Sequence, residues 1–224
     1  MRKWGIVITL VYALIVVGLL VPVFVILLGG HSFLSPSFYM TLREACGWWG
    51  LWLPVAVVLS GQAILLFLSV DTSFQRLRPR SHIAVSCIAA SMLFALLTFA
   101  GMSSLGAAVY SDKFLDRYWA SVTQVSCVSG MLWALWGILF YLYFRNSLEI
   151  TTRAVSWLLK GSVLELLVAV PCHILVRRRG DCSAPAATSF GIVTGIAVML
   201  LSFGPSVLLL YKKRMDAYGA HGVK

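Results

Sequence analysis

Residues 5–28 read GIVITLVYALIVVGLLVPVFVILL, a run from Gly5 to Leu28 without a charged side chain. At 1.5 Å rise per residue a helix of that length reaches about 36 Å, more than the roughly 30 Å of a bilayer's hydrocarbon core. Its apolar residues form no stripe that would leave a polar face for water, so lipid is the medium this segment requires. Met1-Arg2-Lys3-Trp4 in front of it imitates a secretory signal, but the run is too long and only Leu28-Gly29-Gly30-His31 follows, without a small-x-small cleavage pattern. It reads as a retained first span.

Five further stretches meet the same requirement: Gly47 to Val70, Ile83 to Tyr110, Trp119 to Phe144, Ala154 to Val176 and Phe190 to Tyr211. Over 224 positions 60% of residues are hydrophobic and 12% charged, whereas about a quarter of a soluble domain is charged. The spacing predicts an all-α, polytopic integral membrane protein, a six-transmembrane-helix bundle forming a single domain over residues 1–224. The connecting segments are too short for a separate core, so no soluble catalytic domain is expected. The formal charge of +10 sits in short clusters between the spans, where Lys and Arg set topology and meet anionic headgroups. Nucleic acid is therefore not an expected partner; the lipid bilayer and other membrane proteins are.

Orientation follows from the positive residues near the span ends. With the amino terminus inside, Arg2, Lys3, Arg76, Arg78, Arg80, Arg145, Arg153, Lys212, Lys213, Arg214 and Lys224 lie on the inner side, against Arg43, Lys113, Arg117, Arg177, Arg178 and Arg179 outside. Both termini are accordingly expected in the cytoplasm. The lack of a glycosylation sequon is compatible with a bacterial inner membrane. Arg177 to Arg179 run against this assignment: either the fifth segment fails to cross, or these arginines are outside for a reason.

The fifth span is where chemistry concentrates. The other five contain no Asp, Glu, Lys, Arg or His, while this one holds Lys160, Glu165 and, near its outer end, His173. A charge at bilayer depth costs about 2.5–3.5 kcal/mol even on the lenient insertion scale, so such a group is expected to face the bundle interior and find a partner. Glu165 is twelve residues from both Arg153 and Arg177, which puts it near the midplane. Lys160 lies five residues before it, roughly 140° around the helix, and is expected to reach the inner interface rather than pair with it. A helix-joining hydrogen bond to Gln62, Gln124 or a serine is one role for Glu165; a proton or cation relay is another.

A second concentration is Pro171-Cys172-His173-Ile-Leu-Val-Arg177-Arg178-Arg179-Gly180-Asp181-Cys182. In the expected topology the outer side collects Cys172, Cys182 and Cys46 together with His173 and His31. These are candidates for a disulfide, for a metal or haem site, for a working redox pair, or for inert thiols, although the Cys-x9-Cys spacing is not a zinc motif and no Cys-x-x-Cys occurs. Arg177, Arg178 and Arg179 have the guanidinium forks to contact an anion, a lipid headgroup or an acidic partner, and equally suit a solvated surface. No specific cofactor is indicated. Gly191-Ile-Val-Thr-Gly195 is a small-xxx-small pattern that allows two helix backbones to approach.

The chain lacks a phosphate-binding Gly-x-x-x-x-Gly-Lys loop, a His-Glu-x-x-His helix and a Gly-x-Ser-x-Gly nucleophile turn. Whether it is an enzyme is left open. The leading expectation is a non-enzymatic membrane protein, a small transporter or a subunit of a membrane complex, with an intramembrane Glu and an outward Cys/His/Arg cluster. A membrane redox or metal-binding protein using Cys172, His173 and Cys182 is the alternative.

Overall fold

A computed structural model of the chain describes residues 2–29, 35–47, 49–71, 80–114, 122–144 and 150–221. The described regular structure is helical throughout. The first apolar run forms α1 (Arg2–Ile15) and α2 (Val21–Gly29), joined by a π turn over Val16–Leu20. Then come α3 (Pro36–Gly47), α4 (Trp49–Asp71), α5 (Arg80–Tyr110), a single turn α6 (Asp112–Phe114), α7 (Val122–Phe144), α8 (Ile150–Arg179) and α9 (Ala184–His221). Five helical segments are long and apolar enough to cross a bilayer. They are Thr9–Leu28, Ala84–Tyr110, Thr123–Phe144, Arg153–Arg179 and Ala184–Ser202. A sixth is reached if α3 and α4, bent by 69°, count as one broken span. The Trp52 indole donates to the Cys46 carbonyl at 2.8 Å across that bend.

The architecture is the expected helical membrane bundle, with two differences: the connector expected over residues 29–46 holds α3, and the one between the fifth and sixth spans is shorter than expected. The stretch between the fifth and sixth spans, expected as a loop over residues 177–189, is a short turn over residues 180–183, because α8 continues through the arginines and α9 begins at Ala184. Gly180, at φ 75°, takes the left-handed conformation that ends α8, and its N–H bonds the Arg177 carbonyl at 3.2 Å. His31 lies outside the described residues.

α5 is the centre of the molecule and packs against α4, α7, α8 and α9. Its Leu93, Phe94 and Leu97 join Phe140 and Phe144 of α7, Leu158 of α8 and Val198 and Leu201 of α9 in the main buried cluster. α5 and α8 run the same way, since Gly161 faces Phe94 and Glu165 faces Gly101, while Ala107 and Val176 share a small cluster nearer the two carboxyl ends. Polar side chains inside the bundle bond within their own helices: Thr98 to the Phe94 carbonyl, Ser103 to Phe99 and Ser104 to Ala100, at 2.7–2.9 Å. This is how hydroxyls are satisfied where water is absent. α7 is peripheral, with only 6% of its apolar window buried.

Candidate functional site

Glu165 is carried into the bundle by the face of α8 that contacts both α5 and α9. It is only 6% exposed, and neither carboxyl oxygen has a hydrogen-bond partner. Its seat is made of residues without side-chain bulk. On α5, Gly101 lies against its Cγ, a β-carbon there falling at 3.7 Å. On α9, a β-carbon at Gly191 would fall 2.9 Å from Oε1, and one at Gly195 would fall 2.1 Å from Oε2. The Gly191-x-x-x-Gly195 spacing is thus the slot that admits the carboxyl group between α8 and α9. Ser104 borders the slot as well, its Oγ 2.2 Å from the same point at Gly191, with its proton committed to the Ala100 carbonyl.

The sequence places Glu165 in the interior, and the structure does the same. None of the partners considered for it, Gln62, Gln124 or a serine, bonds it. Gln62 is itself buried, with its side-chain carbonyl unpartnered. Lys160 is exposed and forms no ion pair with Glu165, in keeping with their angular separation on α8.

Lys160 and Glu165 also belong to a groove of about 500 Å³ between α7 and α8 over α5. Its walls are apolar, chiefly Trp136 on one side and Trp157 and Leu164 on the other, with Leu97, Met102 and Leu105 along the floor. The Trp136 indole donates to Thr98 Oγ1 at 2.9 Å and its ring packs on Phe94 at 4.7 Å. At one end of the groove α7 and α8 meet through Tyr143 and Trp157, ring centroids 5.6 Å apart.

At the opposite end of α8 the remaining candidates separate. Cys172 and His173 are both buried, whereas Cys182 and Cys46 are exposed, and all five cysteines are free. His173 Nδ1 is 2.8 Å from Thr188 Oγ1, and Thr188 donates its one proton to the Pro185 carbonyl at 3.2 Å. The hydrogen bond between His173 and Thr188 ties α8 to α9. Among the described residues no three His, Cys, Asp or Glu side chains converge as a metal would need.

The arginines are exposed, and two of them bond the ends of neighbouring helices. Arg177 donates to the Leu27 carbonyl near the end of α2. Arg179 donates to the Ala108 carbonyl near the end of α5 at 2.5 Å, with Ser111 Oγ at 3.5 Å. These carbonyls belong to last helical turns, where acceptors lack intrahelical partners and the helix dipole is negative, so a guanidinium suits them. Arg178 is exposed and keeps its fork for whatever lies outside.

Asp112 has no counterpart among the sequence expectations. Its carboxylate accepts the backbone N–H groups of Cys182, Ser183 and Ala184 at 2.8–3.1 Å and the Ser183 hydroxyl at 3.0 Å. It caps the start of α9 from the first residue of α6. The N–H groups of Ala184, Ser183 and Cys182 favour its charged form and lower its pKa from the ordinary 3.8 to about 2. Nothing local in the sequence signals a cap contributed from seventy residues away.

No protein-family model, curated protein or solved structure matches the chain.

Proposed function

We propose that this chain is a small multi-pass carrier of the cytoplasmic membrane, with both termini on the cytoplasmic side, in which Glu165 exchanges a proton or another cation. The observation that carries the reading is the seat of the carboxyl: buried among three helices, faced by glycines, and without a hydrogen-bond partner. Desolvated charge at this depth is expensive, and the cheapest structural use of an acid, a hydrogen bond between helices, is not made. A carboxylate there has to be matched by a proton or a cation brought to it, which is what a coupling group in a carrier does. The absence of a converging Cys/His set among the described residues and the apolar groove beside the acid favour this reading over redox chemistry.

Purified protein in vesicles containing a pH-sensitive dye tests it. With a potassium diffusion potential imposed through valinomycin, wild-type vesicles should change internal pH at least about tenfold faster than E165Q vesicles, the loss expected when an interaction of ~1.4 kcal/mol or more is removed from the transport step. Sodium gradients without the potential form the second arm. Equal rates for the two proteins in both arms, with both monodisperse and equally incorporated, would remove the carrier reading.

A subunit role in a membrane complex is a second reading, supported by α7, whose outer face carries Met131, Leu135, Ile138 and Leu142, each more than half exposed. Extraction in a mild detergent should then yield a complex larger than the chain alone, and a monomer would count against it.

A further inference from the structure

We infer that the groove between α7 and α8 seats one acyl chain of an anionic phospholipid, whose headgroup is held by Lys160. The inference goes beyond the carboxyl reading and stands on different atoms. Its first support is shape. The lining runs from Trp157 to Val168 on α8 and from Phe94 to Leu105 on α5, eleven residue steps each, or about 16 Å of helix. A cleft that long and apolar suits a hydrocarbon chain, and its volume lies within the range of small-ligand sites.

Charge is the second support. Lys160 is exposed and unpaired among the described residues, and it sits at the end of the groove where Tyr143 and Trp157 close the gap. Side chains on a helix lean toward its amino end, so the ammonium is directed back over the Trp157 turn and toward the membrane interface beyond it. A tryptophan ring, half in and half out, beside a lysine is what headgroup level requires. A phosphate meeting that ammonium leaves its chain pointing up the groove along Leu164 and Met102. A cationic amphiphile entering the same way would meet Lys160 first and be repelled, which decides the sign of the lipid. Glu165 lies farther along, its oxygens turned to α9, and supplies no competing contact at the mouth.

Native mass spectrometry of the full chain, released from nanodiscs of equal phosphatidylglycerol and phosphatidylcholine content, tests the assignment. The wild type should retain one phosphatidylglycerol over phosphatidylcholine by about fivefold, the preference expected of a single headgroup-level lysine. K160Q should lose that preference and K160R should keep it. L164W, which fills the groove, should lower retention of both lipids, and E165Q should leave the preference intact even where it abolishes flux. Equal retention of the two lipids by the wild type, an unchanged preference in K160Q, or displacement of the lipid by the cation tetraphenylphosphonium would each overturn the proposal.

Discussion

Glu165 and the two glycines opposite it form the tightest constraint in the bundle. Replacing Gly195 by alanine would put a methyl group 2.1 Å from Oε2 and 2.8 Å from Leu166 Cγ, so either the carboxyl swings out of its slot or α8 and α9 separate. Overfilling of this kind typically costs about 1–3 kcal/mol. G195A should therefore be less stable than wild type in thermal unfolding and should slow vesicle flux without any change of charge. Adding E165A should recover part of the lost stability, because the two residues share one volume. Asp112 yields a different test. With its carboxyl held down to about 2 from 3.8, its contribution is fully present above about pH 4–5 and is lost as pH falls through 2. D112A should melt a few degrees below wild type at neutral pH, and the two curves should converge in acid. The glycine spacing was legible in the sequence as a packing motif, yet which side chain filled it was not, since that depends on how two helices are rotated about their axes.

At the scale of elements, the bundle is tied at one end by side chains that finish other helices. Arg179 caps α5, Arg177 caps α2 and Asp112 caps α9. A cation at a helix carboxyl end contributes about 0.3–1 kcal/mol, more where it is partly buried. R179A should accordingly lower stability by about 1 kcal/mol, with faster hydrogen exchange in the last turn of α5, while R178A should leave both unchanged. The positive cluster was read from the sequence as an exception to the charge rule; the structure supplies a use for two of its three members. Although the sixth span starts at Ala184 rather than Phe190 and Gly47 to Val70 qualifies only together with α3, an unbroken apolar run marks helix directly, so the spans themselves were legible. The turn between α8 and α9 was not, because residues 184–189, APAATS, are apolar or small without announcing whether they continue a helix.

Over the whole molecule, the helical membrane class and five of the six expected spans follow from length and hydropathy, the sixth being reached only if α3 and α4 count as one, whereas the central place of α5 does not follow from hydropathy. α5 carries seven Ala, five Ser and two Gly among its 31 residues, and α7 one Ala, two Ser and two Gly among its 23; small side chains let four neighbours pack closely on α5, while α7 stays at the periphery. The proposed orientation is open to labelling in intact cells: an impermeant maleimide should modify Cys182, which is exposed at the α8–α9 turn, and leave the buried Cys172 and Cys87 untouched. Protection of Cys182 in intact cells with labelling only after lysis would reverse the sidedness. The seating of the Glu165 carboxyl on α9 also bears on how the protein is made. While the ribosome has delivered α8 but not yet Gly191 and Gly195, the acid has no slot to enter, so nascent chains should hold the last two helices back and release them to the bilayer as a hairpin. A message truncated within the turn would then produce a polypeptide destined for proteolysis.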